Sequence, residues 1–347
     1  MISKTNYNAI DLVKFLSAIL LVCAHTASER VSLPPLLDLC CSLYIITVPF
    51  FFIASAFLFF KKLNTQTQEE QKQSYKRYSS RIWIMYLVWS LIYFCFILIG
   101  WVKDGCSISA VVQYFHHAVV FTTYPTIWFL PALWLGVSLV YVCRYRWNWS
   151  NKTILLVSLL FYLVGSICYS YHSLTSITET IHQVYTSVFV TWRNGFFNAF
   201  VYAALGYIIA VGGNADIIKS SIGSVVFGIA FMAEALLMKK IVPSSDANFI
   251  FMLVPFSYFF FSLLCQIKLP DSKAYLPMRK MSMLIFVSQR LFLTALPSVV
   301  SVGFFSGPWN ITNNGILALG ILVAEVCLFS YLLMFLSKKY RFLRILM

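Results

Sequence analysis

The sequence is poor in charged residues, and above all in acidic ones. Only 11% of its 347 residues are Asp, Glu, Lys or Arg, whereas a typical soluble domain contains about 25%. The chain has 12 acidic residues against 26 basic ones, 60% of its residues are hydrophobic, and its mean hydropathy is +0.79. This composition excludes an ordinary soluble globular protein.

Several short motifs of catalytic and cofactor sites are also missing. The sequence contains no GxGxxG, GxxxxGKS or HExxH, so it gives no support to a nucleotide-binding loop or a zinc protease. Its nine cysteines form no CxxC, and the adjacent Cys40 and Cys41 suit neither a metal site nor an ordinary disulfide. We therefore expect no metal, and we interpret the cysteines as small membrane-buried residues.

The sequence is rich in apolar runs long enough to cross a bilayer, which takes about 20 residues. Ten candidate spans lie at residues 9–27, 39–60, 80–101, 127–143, 153–171, 195–212, 220–238, 246–265, 282–302 and 314–336. Residues 107–123 are more polar and favour an interfacial or re-entrant helix. We predict an all-α integral membrane protein, a bundle of about ten transmembrane helices forming a single domain over residues 1–347.

The basic residues are unevenly divided between the two sides of this arrangement. With the N-terminus inside, 19 Lys and Arg residues fall in cytoplasmic segments and 5 in outer ones. The positive-inside rule therefore predicts that both termini are cytoplasmic. The same placement explains the formal net charge of +14 without a nucleic-acid partner. We expect a multi-pass protein of the plasma or inner membrane, with the lipid bilayer as its first partner.

The first span contains three ionisable residues, which are rare and usually functional inside a membrane. Asp11 lies three positions before Lys14, close enough on a helix to neutralise it. Lys14 and His25 are eleven residues apart, so they share nearly one helical face and lie about 16 Å apart along the axis. This layout suits a reaction whose substrates arrive from opposite sides. Alternatively, Asp11 and Lys14 snorkel to the interface and His25 occupies a polar pocket.

The inner loop after the second span combines a mobile polar stretch with a basic cluster, Lys76, Arg77 and Arg81. Such a cluster is often only the topology signal of a membrane protein. Arginine is also well shaped to bind phosphate. Because Lys14 should lie at the same surface, the cluster is a candidate site for an anionic, phosphate-bearing donor.

Two further charges fall near the middle of the membrane. Arg290 and Glu325 lie on consecutive antiparallel spans, at depths that differ by roughly 6 Å. An unpaired charge at that depth is very costly. We therefore predict a buried Arg290–Glu325 ion pair, structural rather than catalytic.

Several stretches, taken in order, resemble the membrane-bound acyltransferase family 3, whose members modify exported polysaccharides and other envelope molecules. IDLVKFLSAILLVCAHT resembles the family's first span, VPFFFIASAFLFFKK its PxFFxxSGF stretch, IWFLPALW its WFLxxL segment, and WRNGFFNAFVYAALGY its RNGLFF…LGY segment. The residues that carry the resemblance are Lys14, His25, Pro49, Phe51, Phe52, Ser55, Phe57, Arg81, Trp128, Arg193, Asn194, Gly195 and Gly206.

The sequence departs from the family pattern at a few positions. Lys14 replaces the commoner Arg, and Ala56 stands where Gly is usual. The first member of the usual Arg pair before the third span would be Tyr78, so Arg77 is expected to substitute for it. Gln289 lies where a histidine often occurs. No extracellular esterase-like domain follows, so the membrane domain or a partner protein is expected to engage the acceptor.

The resemblance implies acyl transfer across the membrane. Acyl-CoA, often acetyl-CoA, would bind from the cytoplasm with its phosphates near Lys14, Arg77 and Arg81, at a site that includes Ser55. Its thioester would reach toward His25, while a hydroxyl of an exported or envelope glycan approaches from outside. His25, with an unperturbed pKa near 6.5, would act as general base or as a nucleophile that forms an acyl-histidine. The implied catalytic set is His25, Asp11 and Lys14.

Four residues at the outer level are candidates for the acceptor side: Arg193, Asn194, Glu234 and Trp128. Glu234 is a candidate to orient or charge-balance His25. Arg193 and Asn194 would bind the acceptor or stabilise an oxyanion. Trp128 could line a sugar-binding cavity. Structural roles, and core packing for Trp128, are the alternatives.

Two other functions compete with acyl transfer. A transporter or flippase of envelope glycan precursors would also carry charged residues in its spans, but would not require a basic CoA site on the inner face. A polyprenyl-linked glycosyltransferase is less favoured, because the sequence lacks paired outer-loop carboxylates to serve as base and metal ligand.

Overall fold

The computed structural model describes residues 7–29, 34, 37, 40, 43–213, 215–242, 246–295 and 315–347. Every regular element in these ranges is helical, which confirms the all-α prediction. Seven helical stretches are long and apolar enough to cross a membrane, and two shorter apolar helices accompany them. The chain is therefore a multi-pass membrane protein, while ten spans and cytoplasmic termini stay predictions.

Twelve helices make up most of the described chain. They are α1 (Asn8–Glu29), α2 (Thr47–Leu63), α3 (Gln68–Asp104), α4 (Ile108–Val120), α5 (Phe129–Tyr145), α6 (Asn151–Tyr169), α7 (Ser176–Phe189), α8 (Phe200–Ala210), α9 (Ile217–Ile241), α10 (Leu253–Gln266), α11 (Tyr275–Arg290) and α12 (Gly315–Lys339). Short 3₁₀ helices occur at Leu43–Ile46, Pro125–Trp128, His172–Leu174, Ala247–Phe249 and Arg341–Leu346, and π turns at Gly195–Ala199 and Leu291–Ala295.

Each predicted span overlaps one of these helices, but the boundaries differ. The tenth helix is shorter than its predicted span 246–265, because a polar turn anchored by Asp246 precedes it. The end of the predicted span 282–302 lies outside the described residues. Apolar runs thus locate the helices, whereas local capping sets their ends.

The polar stretch after α2, expected to be mobile, is largely helical. α3 begins at Gln68, where Thr67 forms a capping box with Glu70: the Glu70 carboxylate accepts from the Thr67 backbone N–H at 2.8 Å. Gln, Glu, Lys and Arg are good helix formers, so the helix runs on toward the apolar part of the span. The basic residues Arg77 and Arg81 therefore have fixed positions on a helix.

Two short helices lie beside the bundle with little burial. α4 falls within residues 107–123, where an interfacial or re-entrant helix is predicted, and has no buried residue. α7 is missing from the sequence prediction, and it begins where the Thr175 side chain accepts from the Thr178 backbone N–H at 3.2 Å. It is amphipathic and too short to register as a span.

The core forms where α1 packs on α11 and α2 packs on α8. Aromatic rings fill the space between these pairs: Phe286 lies 5.4 Å from Phe51 and 4.8 Å from Phe129, centroid to centroid. Gly206 lets α8 approach α2 closely, since a Cβ there would lie 2.6 Å from the Ile53 carbonyl oxygen. This close packing fixes α1 and α11, which carry the candidate site.

Candidate functional site

A cavity of about 530 Å³ lies between one end of α1, α2, α3 and α11. We call it the basic cavity, because six cationic side chains and no acidic one line it: Lys14, Lys62, Arg77, Arg81, Arg279 and Lys280. Apolar and polar residues, among them Ser55, Phe59 and Tyr78, complete its wall. The structure thus brings together all four predicted donor-site residues, Lys14, Ser55, Arg77 and Arg81.

Lys14 reaches the basic cavity from a buried position on α1, with 6% of its surface exposed. Its Nζ lies 5.3 Å from the centroid of the Phe51 ring, a cation–π distance. The neighbouring Asp11, only 2% exposed, forms its ion pair with Arg279 instead: two N–H···O bonds of 2.7 Å join the guanidinium to both carboxylate oxygens. The expected neutralisation of Lys14 by Asp11 is therefore corrected, since α11 supplies the partner.

The C-terminal segment closes another side of the basic cavity. Arg81 donates to the Met347 carbonyl oxygen at 3.3 Å, and Trp89 donates to that of Leu346 at 3.2 Å. Tyr78 stacks obliquely on Phe59, with ring centroids 4.5 Å apart. Its hydroxyl is buried and finds no hydrogen-bond partner among the residues that the structure describes. In the sequence, Tyr78 is notable only because it stands where the family pattern has the first arginine of a pair.

His25 lies further along α1, half-buried and away from the residues that line the basic cavity. Its Nδ1 is 2.9 Å from Oε1 of Gln289, a fully buried residue of α11. Its ring faces Tyr44 with centroids 6.4 Å apart. Since α1 is continuous from Lys14 to His25, the predicted separation of about 16 Å along one helix holds.

An ion pair near the predicted outer side joins Arg193 to Asp246. The Asp246 side chain is 4% exposed, and it also accepts from the Asn248 backbone N–H at 3.0 Å and side-chain amide at 2.7 Å. Burial alone would lower the pKa of the Arg193 guanidinium, but the Asp246 carboxylate raises it above its usual value. Arg193 therefore carries a permanent charge, and its side chain is 36% exposed.

The other outer candidates have structural partners. Asn194 caps the π turn, accepting from the backbone N–H groups of Phe196 and Phe197 at 3.0 and 3.1 Å. Trp128 is buried and packs edge-on against Phe52. The Asn194 carbonyl and the Trp128 ring thus make structural contacts. For both residues the sequence left such a structural role open as the alternative to binding the acceptor.

Glu234 holds the loop before α10. It accepts from the backbone N–H groups of Phe251 and Met252 at 2.9 and 2.8 Å, and from the Tyr171 hydroxyl. Both oxygens of Glu234 are thus engaged on this loop, whereas His25 contacts Gln289.

The predicted Arg290–Glu325 pair does not form: no ion pair joins these two residues of the described chain. Glu325 lies partly buried on α12. The prediction relied on depth alone, and two residues at one depth pair only when their helices also turn them toward each other.

The family described as "Acyltransferase domain" has a model that matches residues 7–335. An amino-acid racemase of Enterococcus faecalis is 27% identical over 210 residues, which are 58% of this chain but only 29% of that protein's length. No solved structure matches the chain. The matched region contains both His25 and the basic cavity, apart from the C-terminal segment.

Proposed function

The chain belongs to the acyltransferase family whose model matches residues 7–335, and from that premise we propose the donor, the acceptor and the reacting residue. We infer that it moves an acyl group from cytoplasmic acyl-CoA to a hydroxyl of an exported or envelope glycan. The acyl group most consistent with the family resemblance is acetyl. His25 is the residue that handles the proton.

The observation that carries this proposal is the basic cavity. Six cations surround about 530 Å³, and among the described residues only Arg279 of these six is paired with an acidic side chain, so the like charges of the others favour an anion in this space. The phosphate groups of CoA supply that negative charge, and Arg binds phosphate through a planar pair of N–H donors. The aromatic and apolar residues of the same wall suit the adenine and the pantetheine arm. A simple anion such as chloride would leave that part of the wall unused.

The position of Lys14 connects the donor site with His25. Lys14 lies buried in the cavity wall, and the ion pair of its neighbour Asp11 is with Arg279. The Lys14 amine therefore faces the cavity, where it can donate to a donor phosphate or to the thioester region. Helix α1 is continuous from Lys14 to His25, and its residues between them, such as Ala18 and Leu21, are buried against neighbouring helices. On this proposal the pantetheine arm would pass between helices to reach His25.

The chemistry at His25 follows from the reactivity of an imidazole. In direct transfer, His25 takes the acceptor proton as the hydroxyl oxygen attacks the thioester carbonyl; the C–O bond forms, the C–S bond breaks, and the CoA thiolate leaves with the proton. In the two-step route, the imidazole attacks the thioester carbonyl, so that a C–N bond forms, the C–S bond breaks and the CoA thiolate leaves. The acceptor oxygen then attacks the acyl group, the C–O bond forms, the C–N bond breaks, and the hydroxyl proton passes to the freed imidazole nitrogen and on to the thiolate. Both routes need the same ring at the same place.

The test supplies radiolabelled acetyl-CoA and candidate glycans to membrane vesicles that contain the protein. We expect label on a glycan with the wild type and none with His25→Ala at equal expression. If the wild type moves a glycan across the membrane but transfers no label, the protein is a transporter and the proposal fails.

The donor site is tested with a matched pair of variants on α3. Arg77→Gln should raise the KM for acyl-CoA several-fold, because Arg77 lines the basic cavity. Lys72→Gln is the control: Lys72 pairs with Glu69 at 2.6 Å and does not line the cavity. Equal KM values for Arg77→Gln and wild type would remove the basic cavity from donor binding.

A further inference from the structure

The contact between His25 and Gln289 bears on which nitrogen of the neutral imidazole carries hydrogen. Gln289 is 0% exposed, and its Nε2 donates to the Phe286 carbonyl oxygen at 3.1 Å. A carbonyl oxygen can only accept, so the amide nitrogen must face Phe286. The amide oxygen Oε1 then faces His25, 2.9 Å from Nδ1.

An amide oxygen also only accepts, so the hydrogen in this bond must come from His25. In a neutral imidazole, one nitrogen carries hydrogen and the other carries the lone pair. Nδ1 is therefore the protonated nitrogen, and Nε2 is the basic one. Turning the amide over would place its oxygen against the Phe286 oxygen and lose that bond.

The anchor of Gln289 is rigid. Phe286, whose carbonyl holds the amide, packs among Phe51 and Phe129 in the aromatic core. α11, which carries both residues, packs along α1, which carries His25. A buried amide held in this way has one hydrogen-bonding arrangement, so it selects one tautomer of its partner.

We propose that Gln289 is a positioning residue, which holds His25 as its Nδ1–H tautomer and thereby makes Nε2 the reacting nitrogen. This inference rests on the proposed acyl transfer at His25. In that reaction Nε2 accepts the hydroxyl proton, or attacks the thioester carbon, while Nδ1–H stays bonded to Gln289. The amide oxygen then also stabilises the positive ring that forms, because its dipole points at Nδ1–H.

The tautomer is measured directly by nitrogen-15 NMR of histidine-labelled full-length protein in nanodiscs, with His25→Gln used to assign the signal. We expect Nδ1 of neutral His25 to have the shift of a protonated nitrogen and Nε2 that of an unprotonated one. The opposite assignment overturns the proposal. This result does not depend on any transfer assay, so it separates the tautomer from the proposed function.

Kinetic variants test whether the tautomer matters. Gln289→Met keeps the length of the side chain but removes the acceptor, and should lower kcat about tenfold or more while the KM for acyl-CoA stays unchanged; tenfold corresponds to about 1.4 kcal/mol. Gln289→Glu keeps an acceptor and should preserve the Nδ1–H tautomer in the NMR spectrum.

The matched control is Gln266→Met, which removes another anchored glutamine, bound to the carbonyl oxygens of Ser262 on α10 and of Ala215 just before α9. Its kcat should equal that of the wild type. An unchanged kcat in Gln289→Met, with transfer by the wild type and none by His25→Ala, overturns the inference and leaves the proposed function standing. No transfer by the wild type would overturn the proposed function instead.

Discussion

Charged residues inside this protein are paired by contacts between helices rather than by neighbours in sequence. Asp11 lies one turn from Lys14 on α1, yet its bidentate partner is Arg279 on α11. Planar guanidinium and carboxylate groups match in a way that an ammonium group does not, so Arg279 is the stronger partner. This choice leaves Lys14 on the wall of the basic cavity without an ion pair to Asp11.

The ion pair should matter for stability as well. Asp11→Asn leaves Arg279 without its carboxylate, and we expect the free energy of unfolding to fall by about 2 kcal/mol, below the usual cost of orphaning a buried charge because Arg279 is 38% exposed. Chemical unfolding in detergent measures this loss. Asp216→Asn, which breaks an exposed pair with Lys219, should change little.

The double variant Asp11→Asn with Arg279→Gln, compared with the two single variants, completes a double-mutant cycle for this ion pair. Removing both charges should restore part of the stability, because no charge is then left alone. A double variant whose loss is the sum of the two single losses would show that the pair contributes nothing beyond its members.

Tyr78 is the second residue whose contacts predict a measurable effect. Its hydroxyl is buried at the wall of the basic cavity and has no hydrogen-bond partner within the described part of the chain, so a bound donor can supply one. Tyr78→Phe should raise the KM for acyl-CoA about threefold to tenfold, because the free energy of one neutral hydrogen bond corresponds to a change of that size in binding.

The control for Tyr78 lies on the same helix. The Tyr75 hydroxyl donates to Ser138 at 2.8 Å and does not line the basic cavity, so Tyr75→Phe should leave that KM unchanged. If both variants behave alike in steady-state kinetics, the Tyr78 hydroxyl has no role in donor binding.

At the scale of residues, the sequence predicted which cations would meet but not which polar partners they would choose. Lys14, Arg77 and Arg81 were expected at one membrane surface, and they line one cavity. These three residues meet because they have a similar depth in the membrane, and the positions of the apolar runs in the sequence determine that depth. Gln289 and Arg279 could not be assigned as partners in advance, because partner choice depends on how each helix is rotated against its neighbour.

At the scale of elements, long apolar runs gave reliable helices, and short amphipathic ones did not. The inner part of α3 and all of α7 are too polar to be recognised by hydropathy, and their start signals are single capping residues, Thr67 and Thr175. Helix α7 is unusual in that its polar residues, such as Glu179 and His182, face the protein, while Ile177 and Val184 are 71% and 64% exposed.

This reversed amphipathicity predicts that α7 presents its apolar stripe to lipid. Val184→Asp should therefore lower the thermal stability of the protein in nanodiscs, since it places a carboxylate against the bilayer. Gln183→Asp, one position away and exposed beside the stripe, is the control and should have a much smaller effect. Equal melting temperatures for the two variants would mean that water, not lipid, covers this face.

At the scale of the whole molecule, the charged groups of the described residues lie at two separate levels of the helix bundle. The basic cavity occupies one end of the bundle, whereas His25 and the Arg193–Asp246 pair lie toward the other. Helix α1 is the element common to both ends, which explains why its charged residues were visible from sequence alone. The number of spans is less accessible to sequence, because α8, α10 and α11 are shorter than a standard span.

The central claim is that acyl-CoA binds at the basic cavity on one side of the membrane and the acceptor takes the acyl group from the other. Proteoliposomes of one orientation test it, with the orientation read from labelling of exposed Cys106 by an impermeant maleimide. Labelled acetyl-CoA placed on the side opposite Cys106 should acylate a glycan confined to the Cys106 side. Transfer that occurs only when donor and acceptor share one compartment would contradict the account.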